Sequence, residues 1–331
     1  MNQLGTGISI IGCGSAAPAT SLDNQALTHI VETSDEWIAS RTGIRERRVA
    51  SPQESLAQLA TEASKNALEM AKIEPQELDL IILATSSADD LFGSAGLIQA
   101  KLGATRAVAF DMTAACSGFV FGLVTASQFI RTGTYRNILL IGADILSRWV
   151  DWKDRRTCIL FGDGAGAVVL QASEKDNLLG FELRSDGAGY HNLQLAYQPQ
   201  PYEIIPGVDV SQGGYNRITM NGQEIYRFAV KKVPEVIEKA LFRANLTSDQ
   251  IDWLIMHQAN QRILDAVAQR MKIEPEKVIS NLAHHGNTSA ASIPLALDQA
   301  VREGKIKAGD VIATAGFGAG LSWGAAIFEW G

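Results

Sequence analysis

Cysteine is scarce. The 331 residues contain three, Cys13, Cys116 and Cys158. They stand far apart in no ligand-like spacing, and an odd number cannot pair completely. This sets aside a disulfide scaffold or a zinc module and points to a reducing compartment, the cytoplasm. Long apolar runs are absent as well. No stretch reaches the ~20 residues of a membrane span, and no basic segment followed by an apolar stretch and a cleavage site marks the N-terminus. Excess positive charge is also missing. Twenty-nine Lys and Arg face 36 Asp and Glu, a net charge of −7, which argues against a general nucleic-acid binder. There are no low-complexity tracts and no evident linkers. What remains is ordinary globular composition, 46% hydrophobic and 20% charged. The length suits two domains, or one large core of two similar halves.

The chain resembles itself. Glu77-Leu78-Asp79-Leu80-Ile81-Ile82-Leu83-Ala84 is similar to Gln250-Ile251-Asp252-Trp253-Leu254-Ile255-Met256-His257, each a polar lead into a buried strand. Arg131-Thr132-Gly133 leads into the apolar run 138–142, as Arg302-Glu303-Gly304 leads into 311–316. Matching Gly133 to Gly304 sets an offset of 171 (304 − 133) and places Asn287 opposite Cys116. Phe161-Gly162-Asp163-Gly164 pairs likewise with Phe317-Gly318-Ala319-Gly320. Each half therefore reads as strand, helix, strand, helix, strand. This α/β pattern predicts a mostly parallel sheet in each half, residues 1–175 and 176–331, with ligand-facing loops at strand ends.

Cys116 lies between a strand-like run, 108–112, and a helical run, 120–130, that is apolar nearly all round. Unpaired N–H groups and the positive end of the helix dipole there favour thiolate. Ala114, Ala115, Ser117 and Gly118 leave room for a substrate. His257 ends the apolar run 253–256. Asn287 follows His284-His285-Gly286. A metal at the two adjacent histidines is discounted, because neighbours in a strand face opposite ways and no carboxylate cluster accompanies them. A thiolate holds an acyl group as a thioester. A histidine and an asparagine amide can both donate to one carbonyl oxygen and so stabilise an enolate, which decarboxylation of a malonyl thioester requires.

Thr113-Ala114-Ala115-Cys116-Ser117-Gly118-Phe119, His257-Gln258-Ala259-Asn260 and His285-Gly286-Asn287-Thr288-Ser289 resemble the active-site motifs of the β-ketoacyl-acyl-carrier-protein synthase III family, with order and spacing preserved along the chain. The resemblance implies a thiolase-like fold of duplicated halves in five αβαβα layers, a homodimer, and no cofactor beyond the coenzyme A thioester used as substrate. It also implies condensation of acetyl-CoA with malonyl-acyl carrier protein. Cys116 then matches the acylated residue, and His257 and Asn287 the decarboxylation pair. The backbone N–H groups of Cys116 and Ala319 match the oxyanion donors, with Ala319 where familiar members carry glycine. Phe317 matches an aromatic residue near the thiol. Phe92 matches a residue that crosses the dimer to close the acyl pocket and suits short primers.

Thr33 or Ser34 can cap a short helix over 34–38, and Thr33 with Glu36 fits a capping box. Arg41 lies four residues beyond Trp37 on the same face, a pairing suited to adenine stacking and phosphate. The resemblance makes Trp37, Arg41 and Arg155 contacts of coenzyme A, Asn260 a pantetheine contact, and Gly222 and Tyr226 tunnel-lining positions. Arg156 departs from the family pattern. Acyl carrier proteins are acidic, so docking needs positive charge. Arg262 is the first candidate, with Arg227 and Arg270. Cys158 is expected to lie buried in a strand over 157–161, and Gly12-Cys13-Gly14 lacks the third glycine of a nucleotide loop. The rival readings are a ketosynthase of secondary metabolism with another primer, a thiolase, a Cys-His-Asn hydrolase and a non-enzymatic scaffold. A thiolase would need a second cysteine near 318–320, where none stands.

Overall fold

In the computed structural model, which describes residues 7–331, the principal strands of the two halves form two separate sheets, beside four two-stranded ribbons. The first contains β1 (Gly7–Ala16), β2 (Leu80–Ala84), β3 (Val108–Met112), β4 (Asn137–Asp144) and β5 (Gly164–Ser173), in the order β1-β5-β4-β2-β3. The second contains β6 (Leu178–Ser185), β7 (Trp253–Met256), β8 (Val311–Gly318) and β9 (Ser322–Glu329), in the order β7-β8-β9-β6. The two orders correspond, with β1, β2, β4 and β5 matched by β6, β7, β8 and β9. A single bridge between Leu254 and Val278 stands where the second sheet would carry its counterpart of β3.

The sheets are mixed, not mostly parallel. Strand β2 runs parallel to β3 and β4, while β5 is antiparallel to both β4 and β1. Likewise β7 is parallel to β8, and β9 is antiparallel to β8 and β6. The reason lies in the connections. A parallel neighbour requires a crossover, whereas β8 and β9 are joined by a tight turn at 319–321.

Among the described residues, seven helices of eight residues or more complete the frame: α1 (Asp35–Thr42), α2 (Leu56–Ala71), α3 (Ala95–Leu102), α4 (Gly118–Arg131), α5 (Gly222–Ala244), α6 (Gln261–Met271) and α7 (Ser292–Arg302). Strand residues alternate between the two faces of each sheet, and both faces are buried. Leu80, Ile82, Ile138 and Leu140 face inward onto Phe119 and Leu123 of α4 and Ile293 and Leu297 of α7, which also meet Ile255, Ile312 and Ala326 of the second sheet. Ile81, Leu83, Leu139 and Ile141 face outward under α2 and α3. Leu254, Met256, Ala313 and Ile327 face outward under α5 and α6. The result is helix, sheet, helix, sheet, helix, with α4 and α7 at the centre. Among the described residues no helix is long and apolar enough to cross a membrane.

Other local expectations are corrected. Ser34 caps α1, its hydroxyl accepting the Trp37 N–H at 3.1 Å, while the Thr33 hydroxyl is buried without a partner. The capping box with Glu36 therefore does not form. Cys158 ends a short helix, Arg155–Cys158, that Asp154 caps, and is not in a strand. His284 and His285 belong to the helical turn Leu282–His285, because Leu282 turns into a separate cluster with Ile38 and Ile44.

Candidate active site

Both central helices begin in the same way. A 3-10 turn, Ala115–Ser117, leads into α4, and another, Ser289–Ala291, leads into α7. The first residue of each turn is left-handed, with φ +46° at Ala115 and +52° at Ser289. Such backbone disfavours a side chain and persists only where the surroundings enforce it. The two turns set Cys116 opposite Ala290 (290 − 116 = 174), one turn of chain from the Asn287 given by the glycine offset. Asn287 still reaches the site, because it precedes the second turn.

Ser289 ties the three sequence-predicted residues together. Its hydroxyl donates to Cys116 Sγ at 3.3 Å. Its N–H donates to Asn287 Oδ1 at 2.9 Å. Its carbonyl accepts the Ser292 hydroxyl at 2.8 Å, and Ser292 Oγ lies 2.8 Å from His257 Nδ1. Engaging Asn287 Oδ1 leaves the donor end, Nδ2, for a substrate oxygen. The Ser292 proton has two acceptors within reach. Given to Nδ1, it makes Nε2 the protonated nitrogen, the tautomer able to donate to an enolate.

Cys116, His257 and Asn287 are all buried. Burial pushes the Cys116 thiol up to about 12, against the opposing hydrogen bond from Ser289. The resting sulfur is thus a thiol, which corrects the expectation that the helix N-terminus alone would favour thiolate: desolvation outweighs it. Burial lowers His257 to about 3, so its imidazole is neutral at pH 7.

Gly318 lets β8 approach Cys116. A Cβ there would sit 2.8 Å from the Cys116 nitrogen. Ala319 follows and lines the same cleft as Cys116. That cleft, about 1670 Å³, runs from Cys116 past Phe92, Phe121, Leu146, Trp149 and Leu193. Phe92 is 98% exposed at its edge. Phe317 does not line the cleft. Its ring packs edge-on against His257, 5.2 Å between centroids, because its strand neighbours Gly316 and Gly318 take the face toward Cys116.

The remaining candidates lie apart from this cleft. Arg41 and Arg155 cover the Trp37 ring at 4.4 and 4.6 Å. Asn260 donates from Nδ2 to the Arg41 carbonyl at 3.1 Å, and its side-chain oxygen caps α6 by accepting the Arg262 N–H. Arg262 covers the ring of Tyr226, four residues beyond Gly222 at the start of α5. Arg227 is paired with Glu224, and Arg270 donates to the Val230 carbonyl on α5. Arg156 is paired with Asp154. Sequence reasoning gave no role to Ser289, Ser292 or Asp144. An acidic residue ending the buried strand β4 was the available signal.

A buried thiol from one half of a duplicated five-layer fold, linked through Ser289 and Ser292 to a neutral histidine and an amide from the other, is the arrangement of a thiolase-like condensing acyltransferase. Residues 110–187 match the family 3-oxoacyl-[acyl-carrier-protein (ACP)] synthase III, and residues 241–330 match its C-terminal family. A β-ketoacyl-[acyl-carrier-protein] synthase III of Trichormus variabilis is 70% identical over 98% of each chain. The crystal structure of 3-oxoacyl-[acyl-carrier-protein] synthase III from Aquifex aeolicus superposes with a TM-score of 0.90 at 44% identity, covering 98% of this chain and 100% of that one. The priming β-ketosynthase of a polyketide pathway is similar at 33% identity, with a TM-score of 0.89, covering 98% and 96%. The chain belongs to the β-ketoacyl-[acyl-carrier-protein] synthase III family.

Proposed function

We propose that Cys116 takes an acetyl group from acetyl-CoA, and that His257 and Asn287 then support its condensation with malonyl-acyl carrier protein, starting fatty acid synthesis. The products are acetoacetyl-carrier protein, CO2 and free coenzyme A. The observation that carries this reading is Ser289, which bonds directly to Cys116 and Asn287 and reaches His257 through Ser292.

Acylation forms a thioester at Sγ. The Cys116 and Ala319 N–H groups hold the carbonyl oxygen, a reading supported by the close approach of Gly318 to the Cys116 nitrogen. Malonyl decarboxylation leaves an enolate whose oxygen receives hydrogen bonds from His257 Nε2 and Asn287 Nδ2. A neutral imidazole suits this role, since it donates without consuming the carbanion. The enolate carbon attacks the acetyl carbonyl and expels Cys116.

Trp37 with Arg41 and Arg155 is the coenzyme A contact, and one guanidinium leaves the ring to admit the adenine. Gly222, Tyr226 and Asn260 flank the pantetheine path. Arg262, Arg227 and Arg270, on the neighbouring helices α5 and α6, receive the acidic carrier protein. Exposed Leu91 and Phe92, with Tyr202, Ile204, Ile205 and Val208 on a protruding hairpin, suit burial in a homodimer where Phe92 closes the partner's acyl pocket. The two sequence halves, 1–175 and 176–331, act as one catalytic unit in the cytoplasm. Purified protein given acetyl-CoA and malonyl-carrier protein should yield acetoacetyl-carrier protein. Release of free acetate in its place would favour the hydrolase reading.

A further inference from the structure

Asp144 is a buried charged group that the mechanism above leaves unused. It ends β4 with no exposed surface. Its Oδ1 accepts the Ser86 N–H at 2.8 Å, the Ser87 hydroxyl at 2.8 Å and the Thr85 hydroxyl at 3.1 Å, and its Oδ2 accepts the Ala290 N–H at 3.3 Å. The Ser87 hydroxyl itself accepts the Ile145 N–H, and that of Thr85 accepts the Ser87 N–H, so both aim their protons at the carboxylate. Four donors and no acceptor describe an ionised carboxylate. Among the described residues no cationic side chain offsets it. The Ser289 hydroxyl lies 3.3 Å from Cys116 Sγ, its side chain also bears on the Asp144 carboxylate, and the N–H of the next residue, Ala290, reaches Asp144 Oδ2 at 3.3 Å.

We infer that Ser289 and Asp144 form a proton relay that accepts the Cys116 thiol proton as the acyl group arrives and returns it to the departing coenzyme A thiolate. The inference rests on the acyl-transfer reading above. In the forward step the thiol proton passes to Ser289 Oγ while the serine's own proton passes to the carboxylate. Sγ then forms its bond to the acyl carbon, the bond from that carbon to the coenzyme A sulfur breaks, and the electron pair leaves on that sulfur. The Asp144 carboxyl proton returns through Ser289 to this thiolate, giving free coenzyme A and restoring the carboxylate.

The electrostatic logic is specific to this pocket. Making a thiolate in a buried site ordinarily adds a charge where charge is costly. Here the negative charge moves from Asp144 to Cys116, so none is created. Burial has raised the Asp144 carboxyl above its usual range, making it a stronger base, and has weakened His257 as a competitor. The left-handed turn at Ser289 brings the hydroxyl to Cys116 and the following N–H to Asp144.

Rapid-quench mass spectrometry of acetyl transfer to Cys116, over a range of acetyl-CoA concentrations, tests this. Ser289→Ala removes the relay but keeps all four hydrogen bonds from Thr85, Ser86, Ser87 and Ala290 that a purely structural Asp144 would need. The relay predicts a limiting acylation rate lower by on the order of 10²-fold, the loss of a general base, with half-saturation changed less than about twofold. Asp144→Asn should lose rate in the same way, and its thermal unfolding separates lost catalysis from lost structure. A Ser289→Ala variant that acylates within about twofold of the wild-type rate overturns the relay alone. A wild-type chain that takes up no acetyl group overturns the relay and the reading beneath it.

Discussion

Asn287→Asp separates the two halves of the proposed reaction. Aspartate keeps the shape of asparagine and keeps one oxygen to accept the Ser289 N–H, now made at 2.9 Å. What changes is the end facing the substrate, where an amide donor becomes a carboxylate oxygen. Losing one oxyanion donor costs roughly 10²–10³ in rate, about 2.7–4 kcal/mol. Two like charges ~4 Å apart at an effective dielectric of ~20 repel by a further ~4 kcal/mol. Protonation of the new carboxyl caps that penalty, since a buried acid beside an anion ionises reluctantly. Condensation should therefore fall by at least about 10³-fold. Acetyl transfer to Cys116 involves no enolate and should fall less than about tenfold. The assay is a pair: acetyl uptake by mass, and acetoacetyl-carrier protein formation from protein already acetylated. Condensation retained within about tenfold, or equal loss of both steps, would refute the role given to Asn287.

Trp37→Ala removes a ring covered by two guanidinium groups. It should raise the KM for acetyl-CoA about tenfold, from a stacking contribution of about 1–2 kcal/mol, with kcat nearly unchanged in steady-state kinetics. Arg262→Ala should weaken use of malonyl-carrier protein and its salt dependence while acylation by acetyl-CoA persists; equal loss of both half-reactions in paired assays counts against it. Gly142→Ala places a Cβ 2.2 Å from the Ala290 carbonyl oxygen, and denaturant titration should show about 1–3 kcal/mol lost to overpacking. Stability should also fall as pH drops. His257 and His285 are lowered by burial to about 3 and about 4 from an ordinary 6.5, so between those values the unfolded chain binds protons that the folded one does not. Unfolding midpoints should decline from pH 7 to pH 4.5, less steeply in His285→Asn.

Much of the fold is legible because hydrophobic pattern and punctuation agree. The apolar runs at 80–84, 138–141 and 253–256 are strands, and Gly133 and Gly304 stop the two central helices. Strand direction was not legible, because an apolar run looks the same whichever way it pairs; the short turn at 319–321, not pattern, made β9 antiparallel to β8. The glycine offset misplaced Cys116 against Asn287 because the central helices differ in length: α4 has 14 residues and α7 has 11. The candidate residues Cys116, His257 and Asn287 could be picked out because a thiol, an imidazole and an amide are chemically distinctive. Ser289 was not, since a serine before a helix usually caps it. Here the left-handed turn directs its hydroxyl to a sulfur. Thiol acidity was misjudged for a related reason: the sequence displays a helix start, but the burial that outweighs it arises only when both sheets close over α4 and α7.

The central claim is that the sulfur of residue 116 carries the acyl group. Incubation with acetyl-CoA alone, followed by intact mass and peptide mapping, measures it directly. The account predicts a gain of one acetyl group, confined to the Cys116 peptide and discharged when malonyl-carrier protein is added. An unmodified chain, or acetyl groups spread equally over Cys13 and Cys158, would contradict it.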